Sequence, residues 1–192
     1  MSQRLPLFFH PRHLLPQGRI PMRIKEKNAL NAMKLAMQHY SHFAICMWDK
    51  EQDKENTALY TIGTQAIIRD FDTNDLNQLQ LTLYGEKCVQ IEDLYYDDHG
   101  LLSGECESLP LWPNVTLNTT QKLLSIRLQQ FYHSHPEIGR YQENKDFNNL
   151  SWLCLRWLEI LPIAIEDKQS LLSQPHCLDS CDFLMSLMTE KH

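Results

Sequence analysis

Short runs of apolar residues, separated by polar and turn-forming residues, dominate the first half of the chain. Residues 43–48 are all apolar and predict a buried strand. Residues 79–85 alternate apolar and polar positions with a period of two, which is typical of a half-buried strand. The strands predicted in this way are 43–48, 60–71, 79–85, 88–96 and 101–109. Together they predict a small mixed sheet or an open barrel.

One helix is predicted among these strands. It begins at Asn28, a residue type favoured at the N-cap of helices. Its apolar positions recur at helical spacing and make one face, formed by Ala29, Leu30, Met33, Met37 and Tyr40. The polar and charged residues 49–56, which follow the first buried strand, indicate an exposed loop.

In the second half of the chain the apolar positions recur with the period of a helix. Residues 150–161 carry the strongest amphipathic pattern, with a cap near Asn148. Pro162 ends this helix, because proline cannot continue the hydrogen-bond ladder. Shorter helical patterns cover 124–131, 165–172 and 178–188. The sequence therefore predicts a β-rich subdomain over residues 1–116 and a helical subdomain over residues 117–192.

The composition is that of an ordinary globular protein, with 43% hydrophobic and 22% charged residues in 192. The net charge of −6 disfavours a phosphate-binding surface, so nucleic acid is not an expected partner. No apolar run is long enough to span a bilayer, and the N-terminus lacks the pattern of a signal peptide, so no membrane partner is expected. The six cysteines are interpreted as reduced thiols, which indicates a cytoplasmic protein.

Few residues form a pattern that would carry catalysis or bind a metal. No phosphate-binding Gly-x-x-x-x-Gly-Lys-Ser/Thr loop is present. Lys168 and Ser170 are two residues apart on a predicted helix, so they point to different faces and do not form a nucleophile–base pair. His176, Cys177 and Cys181 cluster in sequence, but structural zinc normally takes four ligands at tighter spacing. We interpret Cys181 as a core residue and His176 as solvated, and we predict no catalytic residue, metal or cofactor.

Four aromatic or apolar residues are candidates for a partner surface. Phe8, Phe9 and Leu15 lie so close together in sequence that some of them are expected to face outward. An exposed apolar patch often marks a partner site. Trp152 lies off the apolar stripe of its helix and is predicted to be exposed or packed against the β-rich half. For each of the first three residues taken singly, a core role is the simpler interpretation.

The opening segment places apolar residues, prolines and a glycine at fixed intervals before the first helix. These residues are Pro6-Leu7-Phe8, Leu14, Pro16, Gly18 and Pro21-Met22-Arg23-Ile24. They resemble the start of the Lon N-terminal domain, the substrate-recognition module of ATP-dependent Lon proteases. That family opens with Pro-Leu-Phe-Pro-Leu, a Leu-Phe-Pro-Gly turn and Leu-Pro-Leu-x-Ile. The prolines within apolar runs also predict short strands or edge strands.

Later blocks resemble the same family in the same order, at residues 62–71, 81–85, 94–107, 161–163 and 167–172. The chain also departs from the family pattern. Lys25-Glu26-Lys27-Asn28-Ala29 stands where the family has Phe-Glu-x-Arg-Tyr. Gln17 stands at the last position of the Leu-Phe-Pro-Gly turn, with Gly18 one place later. These departures indicate a divergent, free-standing member of the family.

The resemblance implies an α+β fold. An N-terminal PUA-like β-sheet or pseudo-barrel subdomain with one helix would be followed by a C-terminal helical bundle. It also implies non-catalytic recognition of unfolded or exposed polypeptide segments, in an adaptor or chaperone-like role with a protease or chaperone partner. Such binding would combine an apolar groove with a sheet edge that accepts an added strand. We expect Phe8, Phe9, Leu15 and Trp152 to contribute to it.

Two other classes of function stay open at this point. One is an RNA- or small-molecule-binding module, since PUA-like sheets host such sites in other families and a fold alone does not decide function. The other is a hydrolase with an unrecognised site. A basic patch would favour RNA, an apolar groove would favour peptides, and a deep pocket with perturbed acids or histidines would favour an enzyme.

Overall fold

The computed structural model describes residues 2–47, 61–73 and 79–189. The chain forms two compact units, Met1–Leu109 and Pro110–His192. The loop predicted over residues 49–56 lies outside the described residues, as does Trp48 at the end of the predicted strand. Within the described ranges, every helix is too short or too polar to cross a membrane.

The first unit is built on a six-stranded sheet with one helix, which confirms the predicted mixed sheet. Its strand order is β2-β5-β4-β3-β1-β6, and β6 pairs again with β5. The second pairing closes β5, β4, β3, β1 and β6 into a ring and leaves β2 on the outer edge of β5. The elements are β1 Ser2–His10, β2 Arg19–Ile24, α1 Lys27–His39, β3 Phe43–Met47, β4 Ile62–Thr73, β5 Leu79–Tyr96 and β6 Leu102–Ser108.

The two strands predicted over 79–85 and 88–96 are a single strand, β5, so the prediction of a break is wrong. Gly85 pairs with Ala66 and Lys87 pairs with Gln65, so Glu86 is an extra residue in the ladder. Such a bulge bends a strand and shifts its alternation without ending it. The sequence pattern is interrupted at this point, although the strand continues.

Side chains of the sheet divide between two apolar clusters. One cluster takes residues from the ring strands β1, β3, β5 and β6: Leu5, Leu7, Ala44, Cys46, Val89, Ile91 and Cys106. The other is covered by α1 and includes Leu14, Ile20, Ile24, Met33, Phe43, Ile45, Ala66, Leu81 and Leu83. Successive residues of a strand point to opposite faces of the sheet. All residues of β3 are buried, so this strand is buried on both faces. This double burial explains its unbroken apolar run.

Helix α1 begins one residue before the predicted cap. Glu26 is the N-cap residue, and its carbonyl accepts the N–H of Leu30 at 2.9 Å, so Asn28 lies inside the first turn. The buried face of α1 consists of Met33 and Ala36, with Leu30 half-buried. Ala29 and Met37, which the sequence placed on the apolar face, are exposed.

Gln17 stands where the family pattern has its turn glycine, and its backbone has a conformation that favours glycine. Its φ of 64° lies in the left-handed region, although glycine is available at the next position. The Gln17 N–H donates to the carbonyl of Gly85 at 2.7 Å, and the Gly85 N–H donates to the carbonyl of Gly18 at 3.0 Å. These two bonds hold the turn against β5. The departure noted in the sequence therefore changes the side chain but keeps the turn.

The second unit contains helices α2 Lys122–Ser134, α3 Pro136–Gly139, α4 Leu150–Ile160, α5 Ile165–Leu172 and α6 Leu178–Thr189. The start of α2 is held by a reciprocal pair: Asn118 accepts the N–H of Gln121, and the Gln121 side chain accepts the N–H of Asn118. Asn149 caps α4 by accepting the N–H groups of Ser151 and Trp152, so the cap is one residue later than predicted. Residues of α2, α4 and α6 share one apolar cluster.

Candidate functional site

Part of the sheet extends beyond the ring as a three-stranded arm. The arm consists of residues 67–73 of β4, 79–84 of β5 and 19–24 of β2. The pairing of β3 with β4 ends at Ala66, and β2 pairs only with β5 within the described residues. Both edges of the arm are therefore free of a strand partner in the part of the chain that the structure describes. Free edges present N–H and C=O groups that can pair with an added strand.

Hydrogen bonding at the β4 edge agrees with this geometry. The backbone N–H of Phe71 donates to the carboxylate of its neighbour Asp70 at 2.9 Å. A local side chain thus provides an acceptor for this amide at the edge of the arm. The β2 edge differs, because Pro21 removes one backbone donor from it, as expected of an edge strand.

One face of the arm is apolar. Met22 pairs with Leu81 and Leu81 pairs with Phe71, and paired residues of antiparallel strands project from the same face. Leu81 is fully buried, whereas Phe71 is 69% exposed. Ile68 and Phe8 are half-buried at the margin of the same apolar cluster. We call the partly exposed set at this margin the apolar rim; its members are Phe8, Met22, Leu30, Ile68 and Phe71.

The structure brings only one of the four sequence-predicted binding residues to the apolar rim. Phe8 lies there, with its ring edge-on to Phe43 at 5.5 Å between centroids. Phe9 is 39% exposed but points to the opposite face of β1, as neighbouring strand residues do. Leu15 is completely buried. It therefore offers no exposed side chain.

Trp152, the fourth predicted residue, is buried within the helical unit. Its ring packs edge-on against Phe147 at 5.5 Å, and only 2% of the residue is exposed. Of the two alternatives predicted for Trp152, exposure is wrong, and the residue belongs to the apolar cluster of the helical unit. The helix is buried nearly all round, from Leu150 to Leu158, so a position off the main stripe is not a solvent position.

Sequence reasoning did not single out Phe71, the most exposed member of the apolar rim. The residue was assigned to a strand, but its exposure depends on where β3 stops pairing with β4, and no local pattern encodes that end point. Ile67 and Ile68, which precede Phe71 on the same strand, are also only half-buried. Three incompletely buried apolar residues within residues 67–71 therefore mark the arm.

The opposite face of the arm carries charges of both signs. The guanidinium groups of Arg69 and Arg19 lie over the ring of Tyr84, at 4.8 and 5.6 Å from its centroid. Arg23 and Asp72 pair with the same residue of β5, so they project from one face. Nucleic-acid-binding proteins typically cluster positive charge on one surface. This face mixes its charges, which does not favour RNA.

A hydrogen-bonded polar cluster closes the turn after β5. Tyr40 donates to the carboxylate of Asp97 at 2.6 Å, which raises the pKa of Tyr40 to about 12. Asp97 also accepts the N–H groups of His99 and Leu101. Burial acts to raise the pKa of Asp97, but these hydrogen bonds outweigh it and the net shift is downward. The carboxylate is committed to the turn, so this cluster has a structural role.

Neither catalytic nor metal-binding geometry is found at the positions considered from the sequence. Lys168 is buried and donates to the carbonyl of Leu161 at 2.9 Å, while Ser170 is exposed, so the two do not form a pair. Among the described residues, no group of His, Cys, Asp or Glu side chains is arranged to hold a metal ion. His176 is half-buried rather than solvated.

Replacing Lys168 by methionine is expected to remove a contribution to the free energy of unfolding that grows with pH in alkaline solution. Burial lowers the pKa of Lys168 from 10.5 to about 8 in the folded protein. Between these values Lys168 binds more protons in the unfolded chain than in the folded one, so its contribution to the free energy of unfolding rises with pH through this window. The variant lacks this contribution, and the difference in stability between the two proteins changes by on the order of 3 kcal/mol. Urea unfolding at a series of pH values measures it.

The control for this comparison is Lys122→Met, which removes an exposed lysine from the same unit. Its stability profile should follow that of the wild type across the window. If Lys168→Met also runs parallel to the wild type, the ammonium group is not held in a buried site.

The described fold defines a class of mixed α/β proteins in which a six-stranded sheet with one helix is followed by a helical unit. A family model of the ATP-dependent protease La (LON) substrate-binding domain matches residues 4–190, so the chain belongs to this family. The resemblance found in the sequence is thereby confirmed. Membership places the chain among substrate-recognition modules, and the match is to this domain and not to an ATPase or peptidase domain.

Two solved structures resemble the chain over nearly its whole length. A Lon N-terminal domain protein from Xanthomonas campestris has a TM-score of 0.71 and 23% sequence identity, covering 96% of this chain and 98% of that one. The N-terminal domain of Mycobacterium avium complex Lon protease has a TM-score of 0.65 and 15% identity, covering 99% and 100%. At these identities the likeness establishes the fold. No curated protein matches the chain significantly.

Proposed function

We propose that this protein binds unfolded or exposed polypeptide segments without catalysing a reaction on them, and that it delivers them to a protease or chaperone partner. The observation that carries the proposal is the apolar rim, which borders open strand edges in a member of the substrate-binding family. Backbone pairing supplies affinity for any extended chain, and apolar contacts select segments that a folded protein would bury. An adaptor needs this combination of broad recognition and preference for exposed apolar residues.

The β4 edge is the better acceptor for an added strand. It contains no proline between Ile67 and Thr73. Every residue there has a backbone N–H, although that of Phe71 already donates to Asp70 and Arg69 is an extra residue in the ladder. Phe71 lies on it and offers a largely exposed aromatic ring to a bound side chain. We therefore place the incoming segment along β4, with its apolar side chains over Phe71 and Ile68.

Replacing Phe71 by serine is expected to weaken binding of an unfolded polypeptide about tenfold, since a buried aromatic anchor contributes more than about 1 kcal/mol to an interface. The probe is a fluorescently labelled polypeptide kept unfolded by reduction and alkylation of its cysteines, titrated by fluorescence anisotropy. The same polypeptide in its native, disulfide-bonded form should bind far more weakly.

Tyr96→Ser is the matched control. Tyr96 is 75% exposed and lies at the other end of β5, outside the arm, so its removal should leave affinity unchanged. Equal losses for both variants would point to nonspecific stickiness rather than to the apolar rim. Binding of a single-stranded RNA oligonucleotide in preference to the unfolded polypeptide would overturn the proposal in favour of the RNA alternative.

A further inference from the structure

Three cysteines from separate parts of the sequence meet inside the helical unit. Cys154 lies on α4, Cys177 immediately precedes α6, and Cys181 lies in the first turn of α6. The thiol of Cys154 donates to the carbonyl oxygen of Cys177 at 3.8 Å and interacts with both other thiols. The three thiols are reduced in this structure. The sequence showed only Cys177 and Cys181, because Cys154 joins them through the fold.

Cys177 has the environment of a reactive thiol. It stands at the N-terminal end of α6, where unpaired backbone N–H groups favour negative charge. The hydrogen bond from Cys154 lowers the pKa of Cys177 to about 6, while the same interaction strongly raises the pKa of Cys154. The arrangement therefore favours the thiolate form at Cys177 and the protonated form at Cys154.

The β-rich unit supplies a contrast in Cys46. Burial raises the pKa of Cys46 to about 12, so this thiol stays protonated at neutral pH. A buried protonated thiol is unreactive towards oxidants. Cys46 and Cys177 are both fully buried, so the contrast between them lies in the neighbouring thiols of Cys177 and in its place at the start of α6.

We propose that Cys177 and Cys154 form a peroxide-sensitive pair that closes into a disulfide, joining α4 to the start of α6. The thiolate of Cys177 attacks one oxygen of hydrogen peroxide, the O–O bond breaks, and the departing hydroxide takes up a proton to become water. Cys177 is then a sulfenic acid. The sulfur of Cys154 attacks it and the S–O bond breaks. The leaving hydroxide takes the thiol proton of Cys154 and departs as a second water.

Atoms and electrons balance over these two steps. The two thiols lose two electrons in forming one disulfide, and the peroxide gains them in forming two waters. Hydrogen peroxide is small, and Cys177 is fully buried next to exposed residues at the start of α6. The next residue, Leu178, is 45% exposed, and Asp179 is also exposed.

The proposal is tested on the full folded chain with hydrogen peroxide as the only oxidant. Free thiols are blocked with an alkylating reagent after brief exposure, and the protein is digested and mapped by mass spectrometry. We expect a peptide pair joined through Cys154 and Cys177, reversed by a thiol reductant. At neutral pH Cys177 should be lost at least about tenfold faster than Cys46, because of its larger thiolate fraction.

Three serine variants separate the roles of the cluster. Cys177→Ser should abolish the disulfide, and Cys154→Ser should leave a sulfenic acid on Cys177 that a dimedone reagent traps. Cys181→Ser is the control and should still form the Cys154–Cys177 bond. Circular dichroism verifies that each variant is folded, and dimedone labelling of the wild type early in the reaction gives an independent readout.

Loss of Cys46 as fast as Cys177 in the folded protein would overturn the proposal. So would full oxidation of the wild type without a peptide pair joining Cys154 and Cys177, or a disulfide in Cys177→Ser formed at the wild-type rate.

Discussion

Gly85→Ala is expected to lower the free energy of unfolding by about 3 kcal/mol, near the upper end for overpacked sites. A Cβ atom on Gly85 would lie 2.4 Å from the carbonyl oxygen of Leu15, which is backbone and cannot swing aside. The same strand position exchanges hydrogen bonds with Gln17 and Gly18, so the turn and β5 would have to separate. Urea unfolding followed by far-ultraviolet circular dichroism measures the loss.

The matched control is Gly100→Asn. A Cβ atom there meets no other atom within 4 Å, and asparagine tolerates its φ of 75° better than most residues. We expect this variant to lose no more than about 1 kcal/mol. Equal losses of unfolding free energy in the two variants would show that the Leu15 carbonyl does not exclude a side chain at position 85.

Trp152→Ala is expected to destabilise the helical unit by about 3 to 5 kcal/mol, the usual cost of truncating a buried aromatic residue to alanine. Besides Phe147, the ring contacts the guanidinium of Arg156, which lies 5.8 Å from its centroid and is itself fully buried. The variant should lose near-ultraviolet circular dichroism and unfold at lower urea concentration.

This result distinguishes a core residue from a binding residue. If Trp152 were part of a partner surface, the alanine variant would keep its stability and lose affinity for the unfolded polypeptide. Leu111→Ala serves as the control in the same unit, because Leu111 is 61% exposed and its truncation should change stability by less than about 0.5 kcal/mol.

The parts of the fold predicted correctly are those in which burial leaves a local pattern. β3 is buried on both faces, so its residues are uniformly apolar and the strand is evident without any knowledge of its neighbours. The helix of residues 150–160 is marked by its apolar period, its asparagine cap and the proline that follows. The order of the family's blocks supplied the rest of the architecture.

The features that were missed depend on contacts between distant residues. The bulge at Glu86 interrupts the alternation of β5, which resembles a strand end when only the local sequence is considered. Phe71 is exposed because β3 ends its pairing at Ala66. Cys154 reaches Cys177 only when α4 packs against the start of α6. Each of these three features depends on where a distant segment ends or packs, and a single sequence does not contain that information.

The candidate binding surface was also predicted only in part from the sequence. The resemblance implied binding by an apolar groove and a sheet edge, which stays a prediction. Among the described residues, an apolar rim borders the part of β4 that has no strand partner on its outer side. The residues chosen from the sequence were apolar ones near the resemblance, and two of the four, Leu15 and Trp152, are buried. Apolar character alone does not distinguish a side chain that forms the core from one that faces a partner.

Amide hydrogen exchange with and without saturating unfolded polypeptide tests the central claim most directly. Strand addition predicts slower exchange, by at least about tenfold, for backbone amides of residues 67–73 that face the open edge. The amides of Leu94 to Tyr96 and of α6 should exchange at unchanged rates. Protection confined to the helical unit, or no protection of the β4 edge at saturation, would contradict the account.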